Sequence, residues 1–128
     1  MAEQLYYYGH DKNGAIIMIQ LCIDDFSYTS KPEKNEYIKI SKRISKCEVC
    51  YDLSHIADLV GNHGYAFTPA TFHNQYRKKE NFQSMQLFAL DFDTGIRYNE
   101  IAETANNYGL PIAFTYKTFS HTESHERF

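Results

Sequence analysis

The chain has 128 residues, 43% apolar and 16% aromatic, which fits one domain over residues 1–128 with a single core and excludes extensive disorder. A formal net charge of −3 excludes a protein that coats nucleic acid by bulk positive charge. No apolar run approaches the roughly 20 residues that span a bilayer, and Met-Ala-Glu-Gln before three tyrosines lacks the basic and apolar parts of a secretory signal, so a cytoplasmic protein without membrane contact is expected.

Ala15 to Ile23 is isoleucine-rich and bounded by Gly14 and Asp24, which predicts a buried, central strand. Ser27 to Asn35, with its Ser, Thr, Pro and charge, predicts a loop, and Tyr37-Ile38-Lys39-Ile40 a short strand paired antiparallel with the first. Asp52 to Val60 starts on a capping residue, spaces Leu53, Ile56, Leu59 and Val60 as a helix does, and meets Gly61 as a stop. From Gly61 to Phe82 the pattern is a long ordered loop with one strand at Tyr65 to Phe67.

Met85 to Phe92 reads as a buried strand. Tyr98, Ile101, Ala102, Ala105 and Tyr108 then form one helical stripe closed by Gly109, and Leu110 to Tyr116 reads as another strand. The expected fold is α+β or α/β, with a mixed sheet containing a C-terminal βαβ unit at about 85–118 and short helices packed on it. In such units ligands gather where the first strand ends, here at Asp91-Phe92-Asp93-Thr94-Gly95.

Side chains two apart on a strand share a face, so Asp91 and Asp93 converge. Two close carboxylates are reconciled by a proton or by a hard divalent ion such as Mg²⁺ or Mn²⁺. The alternative is that one caps the following helix while the other faces water. His121, Glu123 and His125 alternate on one side of any extended tail and could close around an ion held by the aspartates, a mixed set suiting Zn²⁺ or Mn²⁺; a frayed polar terminus is the other reading.

Cys22, Cys47 and Cys50 are an odd number, expected as thiols or metal ligands rather than disulfides. Cys47-x-x-Cys50 has the spacing of half a zinc knuckle, with His55, His63 and His73 downstream, but no two of these lie three to five residues apart. Ordinary reduced thiols are the alternative.

Six basic residues against two glutamates lie between Lys31 and Lys46, and Arg77, Lys78 and Lys79 form a second basic knot, so both are nucleic-acid candidates as well as ordinary solvated surface. Tyr6, Tyr7, Tyr8, Tyr28 and Tyr37 could stack on bases or anchor an interface, or fill the core. No nucleophile elbow, phosphate loop or dinucleotide fingerprint is present.

The run Leu87-Phe88-Ala89-Leu90-Asp91-Phe92-Asp93 resembles the first motif of the archaeo-eukaryotic primase superfamily, in particular the primase-polymerase-like replication proteins of phages and plasmids. Pro69-Ala70-Thr71-Phe72, Lys78-Lys79-Glu80-Asn81-Phe82 and the stretch from Leu110-Pro111-Ile112 to Thr118-Phe119-Ser120 are similar to its flanking segments, so the likeness covers roughly residues 50–128. The resemblance implies that Asp91 and Asp93 bind divalent ions. It also implies that a Ser-x-His-like motif, with Ser120, His121 and His125 as candidates and Arg127 nearby, contacts nucleotide phosphates. A third acidic motif expected in the family lies outside this sequence, and two-metal phosphoryl transfer needs further ligands.

Three functions follow as expectations. The first is a non-catalytic, metal-binding protein similar in size and character to phage-encoded anti-CRISPR proteins. It would act in the cytoplasm of a phage or mobile-element host and block an RNA-guided, Cas9-type nuclease through Asp24, Asp25, Glu100 and Glu103. The second is a primase-polymerase domain using Mg²⁺ or Mn²⁺. Third comes a non-catalytic nucleic-acid binder acting through the basic stretches.

Overall fold

The computed structural model describes residue 10 and residues 13–128 and has an α+β architecture. Its centre is β1 (Met18–Ser27), flanked by β2 (Glu48–Asp52) and β3 (Tyr65–Thr68) in the order β2-β1-β3. Both pairings are antiparallel, with Met18 opposite Asp52, Cys22 opposite both Glu48 and Thr68, and an irregularity between Ile23 and Ser27. Ile19, Leu21 and Ile23 alternate onto one face. That face is covered by Leu53, Ile56 and Val60 of α2 (Leu53–Gly61), and Leu87, Ala113, Phe114 and Tyr116 pack around the same cluster. Cys22 and Asp24, also buried, have the opposite parity, and α1 (Lys34–Ile44) reaches Asp24 through Arg43. Cover on both faces explains why β1 reads as a nearly continuous apolar run.

The α2 expectation holds. The Asp52 side chain accepts a hydrogen bond from the His55 amide at 2.8 Å, satisfying an otherwise orphan first-turn donor, and the helix ends at Gly61. The strand expected at Tyr37 to Ile40 is instead part of α1. Alternating isoleucines suggested a pleat, but Tyr37, Ile40 and Ile44 are also three to four residues apart, and burial deepens along that stripe from exposed Tyr37 to buried Ile44.

The expected loop at 61–82 contains β3, β4 (Ala70–Phe72) and two 3₁₀ turns before β5 (Phe82–Met85). Strands β4 and β5 form a second, antiparallel sheet in which Ala70 faces Met85 and the Thr71 and Ser84 hydroxyls lie 2.6 Å apart.

The βαβ unit requires correction. Its helix is present as α3 (Tyr98–Asn107), but among the described residues neither 86–92 nor 110–116 is a strand, and the sheets are antiparallel rather than mixed. The pairing part of the first predicted strand is displaced toward its start, into β5. Immediately beyond it, the Gln86 side-chain carbonyl accepts from the Gln20 amide at 2.8 Å, so a side chain occupies this position beside β1. Leu87, Ala113, Phe114 and Tyr116 cover the core as expected of apolar segments, without a backbone ladder.

No helix among the described residues is long and apolar enough to cross a membrane.

Candidate nucleotide and metal site

Phe92 and Phe128 exchange both backbone hydrogen bonds, at 2.8 and 3.0 Å, the closed ring of an antiparallel pair. Alternation therefore turns Phe92 one way and its neighbours Asp91 and Asp93 the other, and both aspartates are exposed. Phe128 is buried, with its ring 5.9 Å from Tyr98 of α3 and 5.5 Å from His121. Asp91 lies close enough to Tyr116 to influence its phenol, whose pKa is raised first by burial and then by the Asp91 carboxylate.

The tail reaches the aspartates through a compact turn. Thr122 and His125 exchange backbone bonds at 3.1 and 3.2 Å, and Thr118 donates to the Arg127 carbonyl at 3.1 Å. The His125 ring then extends to the Asp93 carbonyl, with Nε2 at 2.9 Å. A carbonyl only accepts, so Nε2 carries the proton and donates. The ring lies over Gly95, which has φ +81°; a Cβ there would stand 3.0 Å from Nδ1. A side chain at this position would crowd the His125 ring and would sit on a left-handed backbone that favours glycine, a relationship that composition and spacing do not reveal.

His121 has the same tautomer. Its Nδ1 accepts from the Arg127 amide at 3.1 Å, a shorter contact than the 3.3 Å to the Arg127 carbonyl, so the neutral ring carries its proton on Nε2. One ring nitrogen of each histidine is thus engaged by backbone. The expected closure of His121, Glu123 and His125 around an ion held by Asp91 or Asp93 is replaced by hydrogen bonding between the two segments. Ser120 is half-buried in the same turn.

The cysteine pair is not brought together. Cys47 continues the β2 ladder, its carbonyl accepting from the Ile23 amide at 3.1 Å, and Cys50 lies within the strand. Three residues of extended chain turn two side chains to opposite faces, whereas tetrahedral zinc needs both sulfurs about 2.3 Å from one ion. The Cys47 thiol contacts the Arg43 carbonyl at 3.4 Å, and its pKa is raised by burial and by Asp25; Cys50 is exposed. Among the described residues no three His, Cys, Asp or Glu side chains form a group able to hold a metal ion.

Of the other sequence candidates, Arg77, Lys78 and Lys79 are exposed at the β4–β5 tip. Asp25, Glu100 and Glu103 are exposed, but Asp24 is buried against Arg43 and does not belong to an acidic docking face. Tyr28 is half-buried with its hydroxyl 3.3 Å from Glu36, and Tyr37 is exposed; Tyr6, Tyr7 and Tyr8 lie outside the described residues. The Phe92–Phe128 pairing, the seat of His125 over Gly95 and the Arg127 amide bond to His121 have no sequence signal, because they are made by backbone. Comparison with family models, curated proteins and solved structures finds no match.

Proposed function

We propose that this chain carries the metal- and phosphate-binding part of a primase-polymerase-type nucleotidyl-transfer site, acting in the cytoplasm of a phage or mobile-element host. The observation that carries the reading is the joint between the Asp-x-Asp segment and the Ser120–His125 turn, made by the Phe92–Phe128 ring and the His125–Asp93 bond. These are the two segments that the resemblance assigns to metal and to phosphate.

The donor set suits a hard ion. Asp91 and Asp93 offer only oxygen, and Mg²⁺ characteristically takes one or two carboxylates, keeps several waters and draws further ligands from substrate phosphate. A third protein ligand is therefore not required for first binding. Once held there, such an ion supplies charge neutralisation on phosphate oxygens and activation of an attacking hydroxyl. The protein's own parts divide the work: Phe92 pairing fixes the backbone between the carboxylates, His125 positions the loop through the Asp93 carbonyl, and His121 presents an Nε2–H suited to a phosphate oxygen.

Mn²⁺ binding followed by electron paramagnetic resonance, with and without a nucleoside triphosphate, tests the proposal independently of turnover. Mn²⁺ should bind, bind more tightly with triphosphate present, and be lost in Asp91→Asn and Asp93→Asn. His121→Ala should weaken the triphosphate effect alone. Absence of Mn²⁺ binding by the wild type overturns the reading. Inhibition of an RNA-guided nuclease is the alternative, drawing on exposed Asp25, Glu100 and Glu103. It requires a stable complex and lost cleavage that survive Asp91→Asn.

A further inference from the structure

The fold joins two basic runs that are far apart in sequence. The buried Ser45 hydroxyl donates to the Gln75 carbonyl at 2.9 Å, fastening the β4–β5 tip to the C-terminal end of α1. Lys42 lies in the last turn of α1 and Lys46 in the turn that follows it, while Tyr76, Arg77, Lys78 and Lys79 follow Gln75 on the other side. Strands β4 and β5 both pack against β1, which holds the tip they carry next to the central sheet.

All five cations are exposed, and none forms an ion pair among the described residues. Arg43, between them in sequence, is spent internally on Asp24. The adjoining acids include Glu48, Glu80 and Asp25, which lies beside Cys47, fewer than the five cations, so positive charge prevails on this surface of an otherwise acidic chain.

An aromatic ring stands among these cations. Tyr76 is 55% exposed, and Lys78 Nζ lies 4.8 Å from its ring centroid. Its backbone is held from both sides, the carbonyl accepting from the Lys78 amide at 2.9 Å and from Asn81 Nδ2 at 3.1 Å. Before it, Asn74 and Gln75 take left-handed φ of 60° and 52°, uncommon for non-glycine residues. A fixed, accessible ring beside several cations favours a strand whose bases are free to stack and whose phosphates follow the lysines. A duplex hides its base faces.

We infer that the α1 end and the β4–β5 tip form one composite surface for single-stranded nucleic acid, with Tyr76 as stacking platform and Lys42, Lys46, Arg77, Lys78 and Lys79 as phosphate contacts. The surface does not depend on the carboxylate site.

Fluorescence anisotropy with a labelled oligothymidylate of about 12 nucleotides, a length within the site sizes of single-strand binders, provides the test. Binding at low salt should weaken with a log–log salt slope of about −3.5, as five phosphate contacts on a single strand require. Neutralising Arg77, Lys78 and Lys79 to Ala should reduce affinity about tenfold or more, and Lys42→Ala with Lys46→Ala should flatten the slope by about one. Tyr76→Ala should weaken binding about tenfold without changing the slope. Asp91→Asn and Lys34→Ala should leave binding intact, and all variants should keep the wild-type melting profile because the altered side chains are exposed. No binding at low salt, tighter binding of an equal-length duplex, or no effect of the Lys42/Lys46 change overturns the inference. Displacement by polyglutamate at matched charge would instead identify an acidic polypeptide as the partner and overturn it too.

Discussion

Arg43 grips Asp24 with two nitrogens, Nε at 2.5 Å and Nη2 at 2.6 Å, while its guanidinium carbon sits 4.2 Å from the Phe26 ring centroid. The pair is unequal: the Asp24 side chain is fully buried, whereas Arg43 keeps 24% of its side-chain exposure. Hydrogen bonding to Asp24 also drives the guanidinium pKa up, so the pair stays charged on the arginine side. Removing the arginine strands a buried carboxylate. Arg43→Met should therefore lower unfolding free energy by about 3–5 kcal/mol, and Asp24→Asn by distinctly less, since Arg43 retains Phe26 and water. Urea denaturation of both variants checks the order; equal losses would contradict it.

Gly64 and Gly109 have similar backbone angles, φ +68° and +65°, but different surroundings. A Cβ on Gly64 would fall 2.0 Å from the Tyr28 carbonyl oxygen, whereas one on Gly109 meets nothing within 4 Å. Gly109→Ala should thus cost only the left-handed strain of about 1–2 kcal/mol. Gly64→Ala must also displace the backbone that joins β3 to Tyr28 and should lose more, visible as a lower thermal midpoint than Gly109→Ala.

The cysteines should separate by reactivity. Burial, reinforced by the Glu48 carboxylate, pushes the Cys22 thiol up to about 11, while Cys50 is exposed. A thiol reagent at neutral pH should modify one cysteine quickly, and Cys50→Ser should remove that phase. Cys22 also makes stability fall in alkali. Its folded pKa is raised, so its contribution is complete below the ordinary value of 9.0 and is lost as pH rises through about 11, an effect of order 2–3 kcal/mol. Cys22→Ala should flatten that part of the stability profile.

Tyr116 reports on the carboxylate site. Burial and then Asp91 hold its phenol in the protonated form to higher pH. Asp91→Asn should shift part of the alkaline tyrosine absorbance titration to lower pH, and Mn²⁺ at Asp91 should act in the same direction. A titration unchanged by both would remove Asp91 as a group electrostatically coupled to this ring.

Local signals were legible where one segment decides its own structure. Asp52 as a cap with apolar spacing to Val60 specifies α2, and the isoleucine run specifies a central strand at β1. Tyr37 to Ile40 taken alone fits both periods, since four residues are too few to separate them; the longer window to Ile44, with Lys42 and Arg43 in the last turn, fits a helix. Apolar character at 87–92 and 110–116 indicated core cover, but pairing depends on a neighbour that the segment does not encode. The aspartates and the tail were identifiable as chemistry-bearing groups, whereas their joint rests on Phe92 and Phe128 backbone atoms and on two histidine tautomers.

Strand β1 must await both of its neighbours. Its ladder partners begin at Glu48 and are complete only at Thr68, about forty residues after β1 itself ends at Ser27. At a synthesis rate of about 5–20 residues per second, that interval lasts roughly 2–8 s. During it the nascent chain carries an unpaired apolar ribbon, making this early stretch the one on which a ribosome-associated chaperone would act.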